Sequence, residues 1–251
     1  SFITPVNADV KVVASIKPLH SLASYLMDGV GKPDLIVEGY GSPHGFSMKP
    51  SHAKILQNAD LIFWVGEDLE IFLEKPLSSI AKKAEKIELM EIKGLNVLKF
   101  RERNIFDKHD HDDHDDHGKK EDDHDDHEHD DHDKKEEHAD HDDHDGHEGH
   151  AHGEYDPHIW LDPMNAKVIL NKMVEHLIEN DAKNASKYKS NLKNAFKDID
   201  KLTADVKADL SKSTASIVFH DAYQYFEERF DINILGAFTV NTDVMPGAEQ
   251  L

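Results

Sequence analysis

The chain has 251 residues, with 51 acidic and 29 basic side chains and a formal net charge of −22. Because the chain has no surplus of basic residues, we expect no nucleic-acid partner, and no apolar run approaches the roughly 20 residues that a membrane span needs. Cysteine is absent, so these residues form no disulfide and no thiolate metal site.

The N-terminal residues 1–8 are interpreted as the end of a secretory signal. Val6 and Ala8 occupy the −3 and −1 positions that a signal peptidase prefers before Asp9. The alternative is an ordinary N-terminus. On the first interpretation the protein is exported from the cytoplasm.

Short apolar runs alternate with helical patterns in the first part of the chain. The pattern predicts strands at 12–16, 35–37, 61–65 and 87–92, and helices at 19–26, 51–58 and 72–84. Ser51 is the predicted N-cap of the second helix. Strands separated by helices of this length are typical of parallel βαβ units.

The part of the chain after residue 155 continues this alternation. Asp162 is the predicted cap of a helix that runs to about 179, and the next helix covers 182–211. At 1.5 Å per residue the second helix is about 45 Å long, longer than a small lobe is wide, so we expect it to connect two lobes. Further predicted elements are a strand at 217–219, a helix at 221–230 capped by Asp221, and a strand at 234–238.

These elements predict an α/β fold with two βαβ lobes, mainly parallel sheets and a long rigid connecting helix. The N-terminal lobe is expected to cover residues 9–181, the interdomain helix 182–212 and the C-terminal lobe 213–251. Two strands and one helix cannot close a core, so the second lobe is expected to be incomplete and the chain truncated.

Residues 109–152 form a segment of unusual composition, with 21 acidic side chains, 4 lysines and 14 of the 20 histidines. It contains no apolar residue larger than alanine, so nothing offsets the entropy of ordering it, and we expect a disordered loop. A solvated acidic run is the alternative, but the many imidazoles favour weak, exchangeable metal association. The predicted auxiliary ligands are His109, His111, His114, His117, His124, His127, His129, His132, His138, His141, His144, His147, His150 and His152.

Three of the remaining histidines lie where ligand groups converge in parallel α/β folds. His44 follows a strand in a turn-rich loop, His158 stands in Asp-Pro-His-Ile-Trp, and His220 ends an apolar strand. Together they would suit Zn²⁺, with a fourth position left for water or a carboxylate, although each alone could be a structural histidine.

Other conspicuous side chains have simpler interpretations. His20, His52 and His176 are expected on polar helix surfaces without a ligand role. Trp64, Trp160 and Phe219 are expected in the core.

Three segments of the chain resemble the metal-ligand segments of the ZnuA-type periplasmic zinc-binding proteins of ABC importers. They are residues 42–70, residues 156–163 and residues 218–226, and a His-rich acidic loop between the first two is characteristic of the zinc members. The resemblance implies a two-lobed solute-binding protein with the metal in the cleft between the lobes.

The resemblance also implies a ligand set. His44 and His158 would come from the first lobe and His220 from the second, and a histidine at position 220 favours zinc over manganese. Pro43 stands where some members have a glutamate, which leaves the fourth ligand open with water as the default. Asp221 could join the second shell of a ligating imidazole, but helix capping is the preferred interpretation.

The predicted function is capture of Zn²⁺ in the periplasm by a monomer that does not span the membrane, and its delivery to the permease and ATPase of an ABC importer. Manganese or nickel transport is one alternative, and an extracellular metal buffer or adhesin is another. A metallohydrolase is disfavoured, because no His-Glu-x-x-His pattern and no general base are evident. The chain is therefore predicted not to be an enzyme.

Overall fold

The computed structural model describes residues 10–101, 153–210 and 215–239. The predictions for residues 1–8 and for the His-rich segment 109–152 lie outside the described residues, as do residues 211–214 and 240–251. Within the described part of the chain, no helix combines the length and the apolar character needed to cross a membrane.

The first sheet has four parallel strands in the order β2-β1-β3-β4. The strands are β1 (Val12–Ala14), β2 (Asp34–Leu35), β3 (Leu61–Trp64) and β4 (Glu85–Glu88). Val12 and Ala14 contribute to the core on one face of the sheet, and Val13 contributes to the core on the other face. Both faces are covered, as expected for a parallel sheet, so the predicted βαβ arrangement is confirmed.

Three helices connect these strands: α1 (Lys17–Leu26), α2 (Pro50–Asn58) and α3 (Glu67–Ser79). The predicted cap at Ser51 is wrong, because Pro50 occupies the first helical position and the extended residue before it is Lys49. The third helix was expected at 72–84 but begins earlier, with acidic side chains in its first turn that interact favourably with the helix dipole. The strand expected at 87–92 ends at Glu88, and a 3₁₀ turn follows (Leu89–Glu91).

The second part of the chain begins with two long helices. In α4 (Pro163–Asn180) the Asp162 side chain accepts a hydrogen bond from the Met164 backbone N–H, which confirms the predicted cap. After a 3₁₀ turn at Ala182–Asn184, α5 (Ala185–Leu210) has 26 residues and a length of about 39 Å. The Asn191 amide group on α5 donates to the carbonyl oxygens of Leu26 and Asp28, which ties the long helix to the end of α1.

The second sheet consists of the parallel strands β5 (Ser216–His220) and β6 (Ile234–Thr239), connected by α6 (Gln224–Phe230). The capping role predicted for Asp221 is wrong, because α6 begins three residues later and its N-cap position is occupied by Tyr223. Phe219 was expected in the core but is 64% exposed. The predicted lobe boundaries at 181/182 and 212/213 stay predictions.

Polar contacts join α6 to the first part of the chain. The Tyr225 hydroxyl donates to the Asp156 carbonyl oxygen at 2.6 Å and accepts from the Leu98 N–H at 3.1 Å. Arg229 donates two hydrogen bonds of 2.7 Å to the buried Asp162 carboxylate, which is the bidentate geometry that arginine favours. These contacts hold α6 against the segment that precedes α4.

Candidate metal centre

His44 lies in the loop between β2 and α2. Gly39 in this loop has a φ of 65°, a backbone conformation that glycine adopts without strain. The His44 N–H donates to the Ser42 hydroxyl oxygen at 3.3 Å, a local contact typical of a serine turn. The loop therefore places a half-buried imidazole beyond the carboxyl end of β2.

His158 is 4% exposed and is oriented by Asp156, which is also buried. The Asp156 Oδ1 atom accepts from the His158 backbone N–H at 2.9 Å and lies 2.6 Å from Nδ1 of the same residue. Because a carboxylate only accepts, Nδ1 carries the proton and the Nε2 lone pair is available for a metal. This is the carboxylate–histidine arrangement found behind metal-ligating imidazoles.

Sequence reasoning did not single out Asp156 for a role. The available signal was the spacing Asp-x-His, which lets an aspartate bond both the backbone and the ring of the histidine two residues later. The residue is fixed on both sides, because its N–H donates to the Leu98 carbonyl oxygen and its own carbonyl oxygen accepts from Tyr225.

His220 is the last residue of β5, and its Nε2 atom lies 3.3 Å from Nε2 of His158. Burial lowers the pKa of His220 to about 4, and the neighbouring His158 and His44 rings act in the same direction. The Asp156 carboxylate and a backbone hydrogen bond with Thr239 act in the opposite direction. Near neutral pH the His220 ring is therefore uncharged, the form that binds metals.

The three imidazoles meet in one place although their residues are far apart along the chain. The centroid of the His44 ring lies 5.4 Å from that of His158 and 5.0 Å from that of His220. The centroids of the His158 and His220 rings are 5.1 Å apart. One nitrogen of each ring lies within 4.8 Å of the other two. A tetrahedral zinc ion with Zn–N bonds of about 2.0–2.1 Å separates its ligand nitrogens by about 3.3–3.4 Å. The 3.3 Å between the His158 and His220 nitrogens matches this separation, and the His44 nitrogen lies within 4.8 Å of both.

Asp221 is buried beside this cluster, with its Oδ1 atom 3.6 Å from Nη1 of Arg101. Burial raises the pKa of Asp221 to about 6, and Arg101 opposes that shift. Among the described residues, the group of ligand atoms around His44 contains three histidines and no carboxylate. The fourth ligand stays open, with water as the expected occupant.

Of the three histidines expected on helix surfaces, His52 and His176 differ from that prediction because they are buried. His20 is half-buried, with Nε2 3.0 Å from the Pro33 carbonyl oxygen. His52 is buried, because its Nδ1 accepts from the Lys49 N–H at the start of α2 and its ring packs on Phe46. His176 is also buried, and it contacts two glutamates away from the three-histidine cluster. The 14 histidines of residues 109–152 lie outside the described residues.

The fold and the site together define a class of protein: a two-lobed α/β binding protein that gathers three imidazoles from separate segments of its chain. A family model matches residues 12–251, and its description is zinc-uptake complex component A, periplasmic (ZnuA). The chain belongs to this family.

Several known proteins are similar to the chain. High-affinity zinc uptake system protein ZnuA from Brucella abortus (strain 2308) is 49% identical over 242 residues, which cover 96% of this chain and 70% of the relative. A crystal structure of ZnuA matches with a TM-score of 0.69 at 17% identity, covering 97% of this chain and 75% of its own. A Mn-bound periplasmic metal-binding protein from Candidatus Liberibacter asiaticus matches with a TM-score of 0.66 at 17% identity, covering 94% of this chain and 71% of its own. The two structures share the two-lobed fold.

Proposed function

We propose that this protein captures Zn²⁺ with His44, His158 and His220 and delivers it to a membrane importer. The observation that carries the proposal is the 3.3 Å separation of the His158 and His220 ring nitrogens, with the His44 ring beside both. Three imidazoles form a borderline-soft donor set, which suits zinc better than the oxygen-preferring manganese. Zinc is the transported substrate, and no covalent bond is made or broken.

Each part of the site has a distinct task in the proposed capture. Asp156 keeps the Nε2 lone pair of His158 directed at the ion, and burial keeps His220 uncharged near neutral pH. The contacts of Tyr225 and Arg229 hold α6, the helix that follows His220, against the His158 segment. The ligands of the site come from both predicted lobes, so separating the lobes would release the ion.

The partners and location of the protein follow from the same proposal. The family is described as a periplasmic component of a zinc-uptake complex, and the Brucella relative is named for high-affinity zinc uptake. We infer that the chain works in the periplasm as a monomer and passes zinc to the permease and ATPase of an ABC importer. The histidines of residues 109–152 would act as auxiliary, weak metal-capture sites. The family is not an enzyme class.

Zinc affinity of the full chain, measured by competition with a chromophoric chelator, tests the ligand set. His44→Ala, His158→Ala and His220→Ala should each weaken the tight site by more than about 100-fold, beyond the cost of losing an outer-shell partner. His20→Ala is the matched control, since His20 is a half-buried helix histidine that contacts a backbone carbonyl instead. An unchanged dissociation constant for any of the three variants removes that residue from the ligand set.

Two alternatives are separated by further measurements. Competition among Zn²⁺, Mn²⁺ and Ni²⁺ for the tight site distinguishes a zinc carrier from a manganese or nickel carrier. An extracellular metal buffer or adhesin predicts normal zinc uptake after gene deletion, whereas the proposed carrier predicts a defect that the intact gene restores and a His158→Ala gene does not.

A further inference from the structure

A second cluster of metal-ligating side chains lies at the opposite edge of the first sheet from His44. Glu85 is the first residue of β4, whereas the His44 loop follows the carboxyl end of β2. His176 and Glu179 lie one turn apart on α4, which packs beside this edge. The ligand atoms of Glu85, His176 and Glu179 lie within 4.8 Å of one another.

The imidazole at the centre of this cluster is buried beside two carboxylates. His176 is 8% exposed, and among the described residues neither of its ring nitrogens has a hydrogen-bond partner. Its Nδ1 atom lies 2.7 Å from Glu85 Oε1 and 3.3 Å from Glu179 Oε2, but these contacts lack hydrogen-bond geometry. A buried nitrogen that faces two carboxylate oxygens is consistent with an ion pair or with a set of metal ligands, and the surrounding groups bear on which of the two it is.

The surroundings direct donor atoms toward the imidazole. The Asn180 amide group donates to Glu85 Oε2 at 2.9 Å and to the His176 carbonyl oxygen at 2.9 Å. Since Asn180 occupies one oxygen of Glu85, the other oxygen faces the ring. Such an outer partner is the usual means of orienting a ligating carboxylate.

We propose that Glu85, His176 and Glu179 form a second, weaker site for a divalent transition-metal ion. A metal with bonds of about 2.1 Å separates neighbouring ligands by about 2.9–3.5 Å, and the two observed separations of 2.7 and 3.3 Å require only small shifts. One nitrogen and two carboxylates suit Zn²⁺, Co²⁺ or Ni²⁺. The Glu85 and Glu179 side chains are 38% and 58% exposed, which leaves one side open for water ligands.

A metal at this site would join β4 to α4, at the opposite edge of the sheet from the His44 loop. With one imidazole in place of three, its affinity for zinc is expected to be at least about tenfold lower than that of the first site. The site would fill only after the first one.

Histidine ring resonances observed by NMR test the proposal on the full chain, because they report each ring separately despite the many histidines of residues 109–152. The protein is labelled with ¹⁵N-histidine and titrated with ZnCl₂ beyond one equivalent, and His176→Gln identifies the His176 signal. We expect the ring nitrogen of His176 to shift on zinc binding after the first site is saturated.

Three carboxylate variants decide between a metal site and a simple ion pair. Glu85→Gln and Glu179→Gln should raise the zinc dissociation constant seen at the His176 ring about tenfold or more. Glu175→Gln, which removes a carboxylate next to His176 on the same helix, should change it less than about twofold. The His176 ring should lose its zinc response in Glu85→Gln and in Glu179→Gln and keep it in Glu175→Gln. This comparison holds even if His176→Gln does not fold.

Two results would overturn the proposal. One is a His176 ring that zinc leaves unchanged, as an ion pair predicts. The other is an equal response in Glu179→Gln and Glu175→Gln, which would show that the response to zinc depends on the negative charge near His176 and not on a specific ligand.

Discussion

Replacing Asp156 by asparagine tests whether zinc affinity depends on the orientation of the His158 ring and not only on the presence of that ring. The carboxylate lies 2.6 Å from Nδ1 of His158 and also accepts from the His158 backbone N–H, so it sets both the proton position and the ring angle. Asparagine has nearly the same size but lacks the charge that makes Nδ1–H the favoured tautomer. Loss of such an outer-shell partner typically weakens metal affinity 10- to 100-fold, which is about 1.4–2.7 kcal/mol.

The assay is chelator competition on the full chain at neutral pH, with folding checked by circular dichroism. Asp181→Asn is the matched control, because Asp181 is also buried and hydrogen-bonded, to Tyr188 and Asn184, but lies away from the histidines. We expect Asp156→Asn to weaken zinc binding at least tenfold and Asp181→Asn to leave it within about twofold. Equal affinities for Asp156→Asn and the unmodified chain would refute the assigned role of Asp156.

Two further predictions concern residues 109–152 and the buried Glu70. Deleting residues 109–152 should leave one tight zinc site and remove several weak ones in a calorimetric titration; loss of the tight site would contradict the accessory role of the segment. Burial raises the pKa of Glu70 to about 7 from a usual 4.5. The contribution of the protonated carboxyl group to the free energy of unfolding is therefore fully present below pH 4.5 and is lost as the pH rises through 7, a decrease of about 3 kcal/mol in total. Between pH 5 and pH 8, urea unfolding of Glu70→Gln should show a decrease in unfolding free energy that is about 2–3 kcal/mol smaller than in the unmodified chain, and an identical decrease in both proteins would contradict the reasoning.

Local patterns predicted much of the fold. The buried strand β3 and the Asp162 cap of α4 were predicted because an apolar run, or a capping side chain before a proline, acts within a few residues. The three histidines were selected by their positions near strand ends and in turn-rich segments. Their meeting in space is a property of the fold, and their binding of a metal stays a prediction.

The errors arose where distant segments decide the environment of a side chain. Asp221 precedes a helix, and aspartate is a residue type that commonly caps helices. In the structure it is buried beside Arg101, which lies 120 residues earlier in the sequence. His52 was expected on a surface, but Phe46 covers its ring. Nothing within one helical turn of His176 indicates that Glu85 will face it.

The sequence by itself determined the alternation of strands and helices, the candidate imidazoles and the charge of residues 109–152, because these depend on composition and on spacing over a few residues. The tertiary structure decided which nitrogens converge, that Asp156 orients His158, and that His176 is buried against two glutamates. These features depend on burial and on distances between segments that are remote in the chain, and no local pattern contains that information.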